Sequence, residues 1–151
     1  MLFRSRQLFP RASLITPNLD EAEWLLGHRI AEAEVLPAAA DALLALGAQA
    51  VLLKGGHLAG TTVVDWLARP GHSGLRLASE RIASHNVHGT GCTLSSAIAS
   101  HLALGHELEA AVRLARDYIL SAIATGAKVR TGQGHGPLNH GHAPQATQII
   151  L

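Results

Sequence analysis

The chain has 151 residues, of which 48% are hydrophobic and 15% are charged, and its formal net charge is +1. This length is typical of one domain, and the composition excludes a disordered polyelectrolyte and a protein that holds nucleic acid by bulk positive charge. Two Trp, one Tyr and two Phe are too few for a platform on which bases stack. We therefore expect one folded domain without a nucleic-acid partner.

The apolar segments and the cysteine content indicate where such a protein works. The most Ala- and Leu-rich stretch, residues 35–48, is interrupted by Asp41 and is too short to span a membrane. The chain opens without the pattern of a secretory signal. Cys92 is the only cysteine, so no internal disulfide can form, as is usual in a reducing compartment. We expect a cytoplasmic protein with no membrane partner.

Apolar periodicity and Gly or Pro breakers predict alternating strands and helices. In chain order, the predicted elements are a strand over 12–16, helices over 20–26 and 37–46, strands over 50–53, 61–67 and 75–82, and helices over 93–104 and 108–125. The strand–helix–strand order at the start is typical of an α/β fold with right-handed crossovers.

Three of these elements carry more detailed expectations. The continuous apolar run 50–53 is typical of a strand buried on both faces of a parallel sheet. The small and apolar residues of 93–104 predict a buried helix that ends at Gly105. Over 108–125 the apolar residues share one helix face, and the spacing places Arg116 off that face. Strands 61–67 and 75–82 are expected to pair as a hairpin.

The strongest local signal for chemistry is the run Gly89, Thr90, Gly91 and Cys92 at the start of a predicted helix. Glycines allow a ligand to approach the backbone, and the free N–H groups and dipole of a helix start attract an anion such as phosphate. The spacing matches neither the P-loop nor the dinucleotide fingerprint. A plain Gly-rich helix entry is the alternative interpretation.

Cys92 lies in the first turn of that helix, where positive partial charge favours an ionised thiol. It is therefore a candidate base or nucleophile. The alternative is that Cys92 is a small, buried hydrophobic residue with no chemical role.

Asn18 and Glu21 are three residues apart at a strand-to-helix junction, near the edge of the sheet where α/β folds bind ligands. A carboxylate and an amide oxygen suit Mg²⁺, directly or through water. The alternative is a capping box in which Asn18 caps the helix and Glu21 is its partner. Lys54 follows the apolar strand and precedes two glycines, so we expect its ammonium at the same edge, as a phosphate contact or as a solvated strand-end lysine.

Four segments in this order strongly resemble the hydroxymethylpyrimidine/phosphomethylpyrimidine kinase family of thiamine biosynthesis. They are residues 16–23 (Thr-Pro-Asn-Leu-Asp-Glu-Ala-Glu), 51–57 (Val-Leu-Leu-Lys-Gly-Gly-His), 86–95 (Asn-Val-His-Gly-Thr-Gly-Cys-Thr-Leu-Ser) and 134–140 (Gly-His-Gly-Pro-Leu-Asn-His). The last segment indicates a turn and suggests no chemistry by itself.

The resemblance implies a ribokinase-like three-layer α/β sandwich, with a mostly parallel sheet, that transfers a phosphoryl group from MgATP to a pyrimidine alcohol or its phosphate. It implies that Asn18 and Glu21 organise Mg²⁺ and phosphate and that Lys54 contacts the ATP phosphates. Gly89, Thr90 and Gly91 would form the anion hole, and Cys92 stands where most ribokinase-like enzymes place a catalytic Asp. In-line phosphoryl transfer needs positioning more than a strong base, so a thiolate can serve.

Family members carry a further Gly-rich half before the Thr-Pro-Asn motif, so the resemblance implies that the N-terminal strands are missing here. We expect a partial kinase domain over 1–140 and a disordered tail over 141–151. An exposed sheet edge favours a homodimer or a partner chain, and we expect the isolated chain to depend on such a partner or to be inactive. The alternatives are a pyridoxal or hydroxyethylthiazole kinase of the same fold, and a non-catalytic nucleotide-binding remnant.

Overall fold

The computed structural model describes residues 7–130 and 132–144. The chain divides into two compact units, Met1–Arg81 and Ile82–Leu151. None of the helices among the described residues has both the length and the apolarity that a membrane span requires. Of the predicted disordered tail, residues 141–144 are described and residues 145–151 lie outside the described residues.

The first unit contains helices α1 and α2 and strands β1 to β3. Their bounds are α1 Leu19–Leu26, α2 Leu36–Leu44, β1 Val51–Lys54, β2 Thr62–Ala68 and β3 Leu75–Glu80, with short 3-10 turns at Phe9–Arg11 and Ala33–Val35. Helix α1 ends at Gly27, whose φ of +78° lies in the left-handed region that favours glycine. Each predicted helix and strand from residue 20 to residue 80 is confirmed within a few residues of its bounds.

The sheet has the order β1-β2-β3, and its named strands pair antiparallel. The predicted hairpin of β2 and β3 is therefore confirmed. The expectation that β1 lies in a parallel sheet is wrong for its pairing with β2, because the short connection 55–61 cannot make the crossover that parallel strands need. In the register, Lys54 lies opposite Asp65.

Parallel pairing does occur on the other side of β1, where the strand was predicted over 12–16. It is limited to isolated bridges between Ile15 and Val51 and between Asn18 and Lys54. The N–H of Leu52 donates to the Ile15 carbonyl at 2.9 Å, and the N–H of Lys54 donates to the Pro17 carbonyl at 3.0 Å. A proline lacks the N–H that a longer ladder would need, so the segment forms bridges rather than a full strand.

The core of the first unit lies between α2 and the sheet. Val51, Leu52 and Leu53 of β1 are fully buried, as are Leu36 and Leu43 of α2. This burial of adjacent residues in β1 explains its continuous apolar sequence. Helix α2 packs against β1 and β2, and α1 packs against α2. The hydrophobic effect of this packing fixes the end of β1 and the start of α1, where site residues were predicted.

The second unit contains α3, Thr90–Ala103, and α4, Leu108–Gly126, which pack against each other. Gly105, with φ of +87°, lies in the connection between them. The expectation that α3 is buried is wrong: Leu94 and Ile98, four residues apart, are its buried residues, so one narrow stripe faces α4. Arg116 is buried on α4, so the prediction that it lies off the apolar face of this helix is wrong.

Candidate active site

The start of α1 is closed by a complete capping box. The Asn18 side-chain oxygen accepts a hydrogen bond from the Glu21 N–H at 2.8 Å, and Glu21 Oε2 accepts one from the Asn18 N–H at 2.8 Å. The capping interpretation of these two residues is therefore realised in the structure. Two otherwise unpaired N–H groups of the helix start are satisfied from within the chain.

This cap leaves limited capacity for a metal ion. Glu21 is exposed, and no hydrogen bond among the described residues uses its second carboxylate oxygen. Mg²⁺ keeps several waters and is commonly held by one or two carboxylates together with substrate phosphates, so one free carboxylate oxygen fits it. Among residues 7–130 and 132–144, no three His, Cys, Asp or Glu residues cluster around a possible ion position. Glu21 therefore fits Mg²⁺ as a single contact, direct or through water.

Lys54 ends β1 directly beside the start of α1. The isolated parallel bridge joins Asn18 to Lys54, and the Lys54 side chain is partly exposed. Because paired parallel segments end at the same edge, Asn18, Glu21 and Lys54 come together in the first unit. A carboxylate and an ammonium group at one edge could hold a metal ion and a phosphate, respectively.

The loop after Lys54 is fixed by residues that the sequence analysis did not single out. The Gly55 N–H donates to the buried Asp65 carboxylate at 3.0 Å, and a Cβ at position 55 would overlap the carbonyl oxygen of Val64. Only glycine fits this close approach between backbones. An aspartate in the middle of an otherwise apolar strand was the available signal, because a buried carboxylate requires partners.

Arg81 holds the same loop from its other side. Its guanidinium donates to the carbonyl oxygens of Gly56, Leu58 and Gly60, and two of these distances are 2.9 Å (Gly56) and 2.7 Å (Gly60). One planar, multiply donating group therefore satisfies three loop carbonyls. The position of Arg81 at the end of β3 gives no sequence signal for this role, because the loop it binds begins some 25 residues earlier.

The start of α3 differs from that of α1 because no side chain caps it. Gly89 is the N-cap residue with φ of +86°, and the Thr93 N–H donates to its carbonyl at 2.9 Å. Among the described residues, no acceptor receives the N–H groups of Gly91 and Cys92. Two aligned donors at the positive end of a 14-residue helix are thus available to an anion.

The Thr90 side chain is turned away from such an anion. Its hydroxyl donates to the Val87 carbonyl at 2.6 Å, so its single proton holds the loop. The prediction that Thr90 contacts the ligand is therefore limited to its backbone. The Thr90 N–H itself makes a longer contact of 3.3 Å with the Val87 carbonyl.

Cys92 is exposed and unpaired in the first turn of α3. The alternative in which it is a small buried hydrophobic residue is therefore wrong. The thiol is accessible to a reactant at the helix start that also presents the free N–H groups. Asn18, Glu21 and Lys54 belong to the first unit, and Gly89 to Cys92 belong to the second.

Comparison with known proteins agrees with this geometry. The chain is 37% identical to a pyridoxal kinase of Bacillus subtilis solved as an ADP complex, with a TM-score of 0.84 over 92% of this chain and 52% of that one. It is also similar to a phosphomethylpyrimidine kinase of Clostridium difficile, at 39% identity and a TM-score of 0.64 over 80% of this chain and 47% of that one. The fold is thus the ribokinase-like α/β fold.

The sequence comparisons identify the family. A model of the phosphomethylpyrimidine kinase family matches residues 2–139. The chain is 46% identical to a hydroxymethylpyrimidine/phosphomethylpyrimidine kinase of Rhizobium meliloti, over 90% of this chain and 51% of that protein. It is 49% identical to a thiamine biosynthesis bifunctional protein of Geobacter sulfurreducens, over 89% of this chain and 27% of that protein.

This chain belongs to the phosphomethylpyrimidine kinase family. It spans about half the length of the single-function curated relatives that it matches, and a smaller share of the bifunctional protein. The resemblance drawn from the four sequence segments is therefore confirmed at the level of the family and its fold.

Proposed function

We propose that this chain forms the nucleotide-binding part of a kinase that transfers the γ-phosphoryl group of MgATP to hydroxymethylpyrimidine or its phosphate, in thiamine biosynthesis. The observation that carries this proposal is the uncapped start of α3, where the N–H groups of Gly91 and Cys92 have no acceptor among the described residues. Such a start binds the oxygens of a phosphoryl group. Membership of the family supports the choice of reaction.

Each site residue has a distinct task in this reaction. The Gly91 and Cys92 N–H groups stabilise charge on the transferred phosphoryl group, and the Lys54 ammonium binds phosphate oxygens. Glu21 would hold Mg²⁺, directly or through water, and the ion would neutralise phosphate charge. The alcohol oxygen attacks the γ-phosphorus, the bond to the ADP oxygen breaks, and the Cys92 thiolate accepts the alcohol proton. Asn18 positions Glu21 through the cap.

Two other functions are supported by specific observations. A pyridoxal kinase activity is supported by the structural similarity to the Bacillus subtilis enzyme. A nucleotide-binding protein without turnover is supported by the coverage of about half of the length of the curated relatives.

The main proposal includes a second copy of the chain, or a partner chain, that completes the sheet. Light scattering of the purified chain measures whether it forms a dimer.

The test is ATP-dependent phosphorylation of each candidate alcohol by the purified chain, with MgADP binding measured by calorimetry in parallel. We expect MgADP binding and faster phosphorylation of hydroxymethylpyrimidine phosphate than of pyridoxal or hydroxyethylthiazole. Faster phosphorylation of pyridoxal would favour the first alternative, and binding without turnover would favour the second. Absence of nucleotide binding would contradict the main proposal and the nucleotide-binding alternative together.

A further inference from the structure

Residues 136–140, Gly-Pro-Leu-Asn-His, form a segment that lies across the second unit, which we call the strap. The His88 N–H donates to the Gly136 carbonyl at 3.3 Å, and His88 and Pro137 form an isolated parallel bridge. Farther along, the Asn139 N–H donates to the Ala122 carbonyl at 3.2 Å. The strap therefore connects the loop before α3 to the last turns of α4, which explains a motif that the sequence predicted only as a turn.

The end of the strap is anchored on α4 by apolar and polar contacts. Leu138 is buried, with 4% of its surface exposed. The Tyr118 hydroxyl donates to the His140 carbonyl at 3.0 Å. A Cβ at Gly126 would lie 3.0 Å from the Asn139 nitrogen, so the helix end and the strap are in close backbone contact.

At its other end, the strap packs closely against the side chain of Asn86. Asn86 is buried, with 6% of its surface exposed, and its Nδ2 donates to the carbonyls of Gly126 at 2.7 Å and Val129 at 2.6 Å. Both protons of the amide are therefore used, one on the last residue of α4 and one on the segment that follows it. A Cβ at Gly136 would overlap Oδ1 of Asn86, so only glycine allows the strap to pass here.

The same loop holds the anion-binding residues of the proposed function. Asn86 is three residues before Gly89, and the carbonyl of Val87 accepts the Thr90 hydroxyl. The segment before Gly89 is thus fixed at Asn86 by the side-chain hydrogen bonds to Gly126 and Val129, and at His88 by the hydrogen bond to the strap. A loop fixed at two points presents the N–H groups of Gly91 and Cys92 in one direction, and preorganised donors stabilise an anion better than mobile ones.

We propose that Asn86 and the strap position the Gly89–Cys92 loop, so that its free N–H groups face the nucleotide phosphates. This inference rests on the proposed function for the identity of the ligand. The order of the loop itself is a property of the second unit and is measured without any ligand. Asn86 and Gly136 are therefore positioning residues, since neither is proposed to touch the nucleotide.

The test compares two alanine substitutions in the full chain. Gly136→Ala drives a methyl group into Asn86, whereas Gly134→Ala is a matched control because its Cβ meets open space and its φ is not positive. Asn86→Asp keeps the size of the side chain and removes both donors to Gly126 and Val129. Should Gly136→Ala fail to fold, Tyr118→Phe removes only the hydrogen bond to His140 and loosens the strap more gently.

The first readout is amide hydrogen exchange by NMR without nucleotide. The Thr93 N–H reports on the loop because its acceptor is the Gly89 carbonyl, and the Ile119 N–H in the middle of α4 is the reference. We expect Gly136→Ala and Asn86→Asp to speed Thr93 exchange about tenfold relative to Ile119, and Tyr118→Phe about twofold. Equal acceleration of both amides, or no difference between Gly136→Ala and Gly134→Ala, would overturn the inference.

The second readout is alkylation of Cys92, the only thiol, by iodoacetamide with and without MgADP. We expect MgADP to slow alkylation in the wild type and in Gly134→Ala but not in Gly136→Ala. If MgADP slows alkylation in none of the proteins, the proposed function fails, and Thr93 exchange still decides whether the strap orders the loop. Retained protection in a folded Gly136→Ala variant contradicts the positioning role.

Discussion

The starts of α1 and α3 are opposite solutions to the same problem. Every helix begins with N–H groups that its own backbone cannot satisfy. In α1 the side chains of Asn18 and Glu21 satisfy two of them at 2.8 Å each. In α3 the N-cap is Gly89, which has no side chain, and the N–H groups of Gly91 and Cys92 have no acceptor among the described residues.

The difference between the two helix starts separates a role in folding from a role in ligand binding. A closed helix start stabilises the chain whether or not a ligand is present, whereas an open start is completed by an external anion. Asn18 therefore acts first on the stability of α1, and Glu21 contributes one carboxylate oxygen to the cap and has a second that is available for the proposed Mg²⁺ contact. The open start of α3 carries the proposed chemistry, so substitutions at the two helix starts have different consequences.

The largest effect is expected from blocking the open start. A side chain at Gly91 leans toward the helix N-terminus, so Gly91→Val fills the space of the anion while Val remains a better helix former than Gly. We expect the phosphorylation rate to fall about 10²–10³-fold. Lys54→Ala is expected to cost about tenfold, because the partly exposed ammonium is screened by solvent. Steady-state kinetics measures both rate losses, with circular dichroism as the folding control. Equal losses in the two variants would contradict the larger role of the open α3 start.

A smaller effect is expected from substituting two glycines that have nearly the same backbone conformation. Gly89 and Gly27 have φ of +86° and +78°, and a Cβ at either position has no neighbour within 4 Å. Each substitution to alanine therefore costs backbone strain alone, about 1–2 kcal/mol of unfolding free energy. We expect Gly89→Ala also to weaken MgADP binding and Gly27→Ala to leave it unchanged. Urea denaturation and calorimetry measure the two quantities, and a loss of affinity in both variants would count against a special role for the α3 start.

The smallest effect is expected at the closed start. Asn18→Ala removes the cap and is expected to lower the unfolding free energy by about 1 kcal/mol. Glu21→Gln keeps an oxygen that accepts from the Asn18 N–H, so stability should change by less than about 0.5 kcal/mol. The Mg²⁺ concentration for half-maximal phosphorylation should rise for Glu21→Gln and not for the control Asp20→Asn. If it rises for neither, Glu21 is a capping residue alone.

The features that the sequence predicted well depend on neighbours a few residues apart. The capping box at the start of α1 and the hairpin of β2 and β3 are both local patterns. The continuous apolar run of β1 correctly predicted a buried strand, but an apolar run does not encode the direction of its partner. The prediction that Arg116 lies off the apolar face is wrong, because Arg116 lies four residues after Val112 and three before Ile119, on the buried stripe.

The parts of the site that were missed depend on contacts across long stretches of sequence. Asn86 reaches acceptors that lie 40 and 43 residues later, and Arg81 binds a loop that precedes it by more than 20 residues. Such pairs leave no periodic signal, because each partner is an ordinary loop residue in its own segment. The family resemblance includes Asn86 and residues 134–140 in two of its motifs, and the hydrogen bond from the His88 N–H to the Gly136 carbonyl shows that these two motifs are in contact.

The strap has a consequence for the order in which the molecule is assembled. The loop before α3 takes its final support from Gly136 and from the end of α4, both of which are synthesised after the loop. On a ribosome, where chains emerge from the N-terminus, the capped helix and hairpin of the first unit have all their residues early. The α3 start that we propose binds the nucleotide phosphates, in contrast, has all its supporting residues only once residue 140 has been synthesised. The first unit can therefore form its sheet before the proposed nucleotide site is complete.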